Sequence, residues 1–139
     1  MKLPDWLPVF GDMDYREDKP PSEALEQVTF FGVLRREYPD LASAAVHIRN
    51  EGKRSHRETL KQKAEGLNTG ASDIIIPGNP SFVCEMKRID HTKSKISQDQ
   101  LDYLLSAKDN GSFICVALGY KAALQAVEEW QKILKKDQA

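Results

Sequence analysis

The order of apolar periodicities in this chain predicts an α/β (α+β) fold, a mixed β-sheet flanked by helices in a single domain. Three observations carry that expectation. Helical spacing of apolar residues recurs in well-separated stretches, a short β-branched run and a second strand-like run bracket a Pro-Gly-Asn-Pro turn, and Phe113-Ile114-Cys115-Val116-Ala117-Leu118 is apolar throughout. The 139 residues suit one compact domain and are too few for two.

Residues 1–21 hold Pro4, Pro8, Pro20 and Pro21 and the charged run Asp12-Met13-Asp14-Tyr15-Arg16-Glu17-Asp18, so they read as an irregular arm ahead of a domain spanning 22–139. Trp6, Leu7, Val9 and Phe10 give the arm something to bury. Ser22 offers a helix N-cap, Glu23 and Glu26 suit the positive first turn, and Leu25, Val28, Phe31 and Leu34 follow at helical spacing. Tyr38-Pro39 ends that helix, because the residue before proline avoids the helical region. Ala44, Val46 and Ile48 alternate with Ala45, His47 and Arg49 in the period of a strand. A basic turn, Asn50 to Ser55, leads to a short polar helix from His56 to Glu65, stopped by Gly66.

Asp73-Ile74-Ile75-Ile76 and Phe82-Val83-Cys84-Glu85-Met86-Lys87 are strand-like and separated by turn chemistry, which predicts a hairpin. Ser97 with Gln100 forms a capping box for a helix bearing Leu101, Leu104 and Leu105 and ending near Gly111. The apolar run 113–118 reads as a strand covered on both faces. A last amphipathic helix runs from Ala122 to about Lys136.

No apolar stretch approaches the roughly 20 residues of a membrane helix, and the start lacks the pattern of a signal peptide. Two cysteines far from any CxxC spacing give no disulfide framework, and both read as buried small hydrophobes. His47, His56 and His91 have no zinc-site spacing. A cytoplasmic protein without a membrane partner or an organic cofactor is the expectation. Net charge is −1, but residues 1–40 carry five basic and nine acidic side chains while residues 41–95 carry ten and six. The middle third is the one candidate for an anion-facing surface.

Within that third, Glu85 and Lys87 stand two residues apart on a strand, so they emerge on one face about 6.5–7 Å apart, with Phe82, Cys84 and Met86 on the other. A hairpin would carry Asp73 towards Glu85. Two adjacent carboxylates repel and call for a shared proton or a divalent cation. Oxygen ligands that leave water positions open suit Mg²⁺, which polarises phosphoryl oxygens and acidifies bound water. Taken alone, the same residues also read as a surface ion pair beside a strand-capping aspartate. Their surroundings favour the site: Gly70 precedes the acid where backbone can approach closely, and basic clusters flank it from His47 to Lys63 and from Arg88 to Lys95. That pairing suits a phosphodiester substrate.

Asp73 followed by Glu85-Met86-Lys87 resembles the core of the PD-(D/E)XK nuclease superfamily. The fuller pattern is similar to its virus-type replication-repair nuclease (VRR-NUC) branch: Ser22-Glu23-Ala24-Leu25-Glu26-Gln27, His47 through Arg54, Gly66, Gly70-Ala71-Ser72-Asp73, Glu85-Met86-Lys87-Arg88 and Ser97-Gln98-Asp99-Gln100-Leu101. The match spans about Ser22 to Trp130. One departure is Ser72 where the superfamily's name has proline. The resemblance implies a restriction-endonuclease-like sheet and a Mg²⁺ or Mn²⁺ ion held by Asp73, Glu85 and the main-chain carbonyl of Met86. A first-helix acid would join them, Glu26 or its neighbour Glu23, with Glu26 preferred. Lys87 would serve the attacking water. Gln100 would brace the site, and the capping box is an equal reading of the same residue. Asn50, Lys53, Arg54, Arg57, Lys61, Arg88 and Lys93 would contact DNA.

The implied activity is a metal-dependent endodeoxyribonuclease that leaves 5′-phosphates. Small stand-alone members of this branch look like phage or prophage proteins, several acting on branched DNA. One active site per chain and symmetric cutting of a four-way junction together suggest a homodimeric Holliday-junction resolvase. The alternatives are a monomeric flap or single-strand nuclease and a catalytically silent DNA-binding protein.

Overall fold

A computed structural model describes residues 1–48 and 56–138. Its elements in chain order are β1 (Val9–Phe10), α1 (Glu23–Glu37), α2 (Pro39–Ala42), β2 (Val46–His47), α3 (His56–Ala64), β3 (Ile74–Ile76), β4 (Phe82–Lys87), a 3-10 turn (His91–Lys93), α4 (Gln98–Asp109), β5 (Phe113–Leu118) and α5 (Tyr120–Gln138). The five strands form one sheet in the order β1-β5-β4-β3-β2. β1 and β4 both run parallel to β5, whereas β3 is antiparallel to β4 and to β2. The mixed sheet is the architecture that the periodicities predict.

Local chemistry sets the element ends as expected. The Ser22 side chain accepts from the Leu25 amide at 3.1 Å, and Ser97 and Gln100 complete a reciprocal capping box. Gly66 and Gly111, with φ of 100° and 93°, supply the left-handed backbone after α3 and α4.

Helices cover both faces of the sheet. On one face Phe30 and Leu34 of α1 and Ala123, Ala126, Val127 and Trp130 of α5 pack against Ile74, Ile76, Phe82, Cys84, Met86, Cys115 and Ala117. On the other, Leu104 of α4 and Leu7 of the N-terminal segment meet Val83, Ile114, Val116 and Leu118. Burying each of the Val, Leu, Ile, Phe and Met side chains among them fully contributes about 1.5–3 kcal/mol. Trp130 is wholly buried and donates its indole N–H to the Pro80 carbonyl at 2.7 Å, which ties α5 to the hairpin turn. Cys84 and Cys115 are register partners on adjacent strands, and both are free thiols. Their mutual hydrogen bond and burial push the Cys84 thiol well up, so it packs as an apolar group.

Three elements differ from the sequence expectation: β1, β2 and the short helix α2, which no spacing announced. Residues 1–21 are not wholly irregular, because Val9 and Phe10 add an edge strand in register with Val116 and Ala117. Pro8 sits just outside it, where its missing N–H costs nothing and its carbonyl accepts from Val116 at 3.0 Å. The strand anticipated from Ala44 shrinks to Val46–His47, since the Ala44 and Ala45 amides are taken by the Leu41 carbonyl at the end of α2. The basic turn falls in 49–55, outside the described residues.

Candidate active site

The β3–β4 register pairs Ile74 with Cys84 and Ile75 with Val83. Continued by one step, it sets Asp73 opposite Glu85. Asp73 Oδ2 accepts from the Met86 amide at 2.9 Å, so a side chain closes the ladder where the backbone of β3 ends. Alternation along β4 sends Phe82, Cys84 and Met86 into the α1/α5 core and turns Val83, Glu85 and Lys87 towards α4. Because β4 is central, these polar groups are deep: Glu85 is 1% exposed and Lys87 3%.

Charges so buried need partners. Lys87 Nζ donates to the Lys95 carbonyl at 2.6 Å and to Gln100 Oε1 at 3.3 Å, and lies 3.7 Å from Glu85 Oε1. Gln100 also donates from Nε2 to Glu85 Oε1 at 3.0 Å, while its Oε1 accepts from the Ser97 amide at 2.9 Å. One glutamine therefore serves both the helix cap and the Glu85–Lys87 pair. The two readings of Gln100 are one arrangement, since the helix start it caps is pressed against the site.

That pressure is visible at Gly70. A Cβ built there would lie 2.0 Å from the Asp99 carbonyl oxygen. Gly70→Ala is expected to cost about 3 kcal/mol, the upper range for overpacking, and to displace Gln100 from Glu85. A thermal melt and a cleavage assay on one preparation would check this; an unchanged melting temperature would contradict the contact.

Burial and the adjacent Asp73 carboxylate push the Glu85 carboxyl well above the usual carboxylate range, with Lys87 opposing and the Glu23 charge adding to the rise. Glu85 Oε2 is buried without a hydrogen-bond partner. Hard oxygen donors, one of them orphaned, fit a divalent cation of the Mg²⁺ or Mn²⁺ type. The carboxylates of Asp73 and Glu85, set opposite each other by the strand register, could hold such an ion. Among the described residues no three His, Cys, Asp or Glu side chains converge to hold an ion by themselves.

The two first-helix acids have different surroundings. Glu26 is buried, and its Oε2 accepts from the Tyr120 amide at 2.5 Å, an anion at the N-terminus of α5. Gly119, at φ 89°, makes room for it: a Cβ there would be 3.3 Å from that oxygen. Glu23 instead accepts from Ser94 Oγ at 2.9 Å, and its charge adds to the rise of the Glu85 carboxyl. Sequence reasoning could not separate two acids less than one turn apart, and it missed Ser94 and the Lys95 carbonyl, which lie in a basic run.

Of the residues expected at DNA, Arg57, Lys61 and Lys93 are exposed. Arg88 is half-buried, and its guanidinium donates to the carbonyls of Pro20 and Pro21, fastening the arm to the end of β4. Asn50, Lys53 and Arg54 lie outside the described residues. No helix among the described residues is long and apolar enough to cross a membrane.

No protein-family model matches the chain, and no curated protein matches it. Among solved structures, a VRR-NUC domain protein is similar to it with a TM-score of 0.68 at 20% identity, over 82% of this chain and 91% of the other. The chain has the fold of a VRR-NUC domain, the fold that its sequence resemblance implies.

Proposed function

We propose that this protein is a divalent-metal-dependent endonuclease that hydrolyses phosphodiester bonds in branched DNA, acting as a homodimeric Holliday-junction resolvase. The observation that carries the proposal is the Asp73–Glu85–Lys87–Gln100 cluster, with Glu85 and Lys87 buried and one Glu85 oxygen unpartnered, on a fold shared with a VRR-NUC domain protein. Asp73, Glu85 and the Met86 carbonyl would hold the ion. When bound, it would supply Lewis acidity at the phosphoryl group and lower the pKa of water.

The chain's own residues do the rest. Lys87, fixed from two sides by Lys95 and Gln100, would set its ammonium beside the entering water and the negative charge that builds on the phosphoryl oxygens. Water attacks phosphorus in line and gives up a proton to solvent, the bond from phosphorus to the 3′ oxygen breaks, the 3′ oxygen leaves and is protonated to the 3′-hydroxyl, and the phosphate stays on the 5′ end. Gln100 keeps Glu85 and Lys87 in register. Arg57, Lys61 and Lys93 are free to meet the DNA backbone. Leu25 and Val28 on α1 are 54% and 66% exposed, an apolar face that supports pairing with a second copy.

The test is cleavage of labelled four-way junctions, 5′-flaps and plain duplex in Mg²⁺, Mn²⁺ or EDTA. Paired nicks across the junction that need the ion are expected. Preference for flaps with single nicks, together with sedimentation as a monomer, would transfer the assignment to a flap nuclease. Binding without cutting in either metal would leave a silent DNA-binding protein.

A further inference from the structure

We propose that the cleft between α1 and β2 takes one unstacked nucleobase of the DNA, with the Gln27 side-chain amide reading the edge of that base. The inference rests on the nuclease reading above and adds a site that neither the acidic pair nor Lys87 uses.

The cleft has a volume of about 560 Å³, within the range of small-ligand sites. Val28 and Phe31 of α1 and Ala45 ahead of β2 give it apolar walls, and Gln27, Arg35 and His47 are its polar groups. Gln27 is the unusual one. It is 7% exposed, yet among the described residues its amide has no hydrogen-bond partner. The acids on the same helix face no such lack, since Glu23 accepts from Ser94 and Glu26 from the Tyr120 amide. A buried amide left unpaired is costly, so one that borders a cleft is suited to a polar ligand entering it.

The rest of the lining says which ligand. An amide sets a donor beside an acceptor, the pattern that meets the N6 amino group and N7 of adenine. The Phe31 ring is braced edge-on by Phe30, with centroids 5.3 Å apart and planes at 88°, and its centroid is 6.3 Å from that of the His47 ring. A fixed aromatic wall of this kind suits base stacking. Arg35 is exposed and suits the phosphate that follows the base. A second copy of the chain could cover Val28, but an apolar partner surface would leave the Gln27 amide unpaired, whereas a base pairs it.

The cleft also lies beside the acidic pair. His47 is the register partner of Ile74, and the next amide, Ile48, donates to the Asp73 carbonyl at 2.8 Å. Ile74 faces the α1/α5 core, so His47 and the cleft are on that face, while Glu85 turns towards α4. A DNA strand crossing the β2–β3 edge would bring a phosphate to Asp73 and a splayed base, a nucleotide or two away, to Gln27.

The experiment is fluorescence anisotropy in EDTA with full-length protein and short labelled abasic DNA strands carrying one adenine, one cytosine or no base. Wild type is expected to bind the adenine strand roughly tenfold more tightly than the baseless one, within the range of a bidentate amide–adenine contact. Gln27→Met keeps the side chain's length and loses both polar atoms, so it should bind the two strands equally and melt no lower than wild type. Arg35→Ala should weaken both strands alike and preserve their ratio. Should Gln27→Met not fold, Gln27→Glu takes its place: it keeps an acceptor, loses the donor and should shift preference from adenine to cytosine. Equal binding of all strands by wild type, an adenine preference that survives in Gln27→Met, or one that survives in Gln27→Glu would overturn the proposal. A surviving preference joined to a changed sedimentation of Gln27→Met would give the cleft to a second copy instead. Wild type that binds neither these strands nor a four-way junction would place the failure in the nuclease reading, and the cleft would fall with it.

Discussion

Lys87→Ala is expected to slow cleavage by roughly 10²–10⁴-fold, the range a positioned proton-transfer or water-orienting group contributes, and to lower stability as well. The ammonium lies 3.7 Å from Glu85 Oε1 and satisfies Gln100 Oε1 and the Lys95 carbonyl. Removing it leaves a carboxylate that is 1% exposed without its counter-charge. Breaking a buried pair from one side costs about 3–5 kcal/mol; here the lower end applies, because Glu85 already leans towards its neutral form. Lys87→Met keeps the apolar stem but loses the charge and both hydrogen bonds, so it should melt above Lys87→Ala by the packing of the stem alone while cleavage stays lost in both. Single-turnover rates on a labelled junction, beside thermal melts in EDTA, would measure both. An alanine variant cutting within threefold of wild type would remove Lys87 from the chemistry.

Why Lys87 was legible in the sequence, and Ser94 was not, follows from how each is fixed. The two-residue period of a strand is a local rule, so the shared face of Glu85 and Lys87 follows from spacing alone, and β3–β4 pairing follows from the turn between Ile76 and Phe82. The capping box at Ser97 and Gln100 is equally local. What spacing cannot give is which helix that face meets. Gln100 reaches Glu85 because α4 packs on the side to which Glu85 turns, a tertiary fact. Ser94 meets Glu23 across 71 residues of chain, within a basic run that resembles a DNA-facing loop. Arg88 belongs with it: its charge marks it for phosphate, yet its guanidinium is spent on the carbonyls before α1. The edge strand at Val9 is hidden for a related reason. Pro8 looks like a breaker until the partner strand shows that its N–H was never needed.

Glu85→Gln is expected to reverse the order of stabilities between the metal-free and metal-bound protein. In EDTA, the wild-type carboxyl is held near Asp73 in a buried setting that raises it well above its usual value. A folded acid with a raised pKa binds its proton more tightly than the unfolded chain does, so the stability it lends is complete at low pH. That stability is lost as pH rises from the ordinary carboxylate value through the raised one. Glutamine does not titrate. Its carbonyl can still accept from Gln100 Nε2, and its amide can donate to Asp73, replacing repulsion by a hydrogen bond worth about 1 kcal/mol. The metal-free variant should therefore melt higher than wild type by roughly 3 °C, with a margin that widens from pH 5 to pH 8. Mn²⁺ inverts this. At 100 times its dissociation constant, a ligand stabilises the folded state by about 2.7 kcal/mol, available to wild type and lost to a variant whose orphaned oxygen has become an amide. Cleavage should fall by roughly 10³-fold or more, since an ion contributes several kcal/mol to the transition state. Melting curves of both proteins with EDTA and with Mn²⁺ would therefore cross. Parallel curves, each raised equally by manganese, would show that the carboxylate at position 85 takes no part in holding the ion.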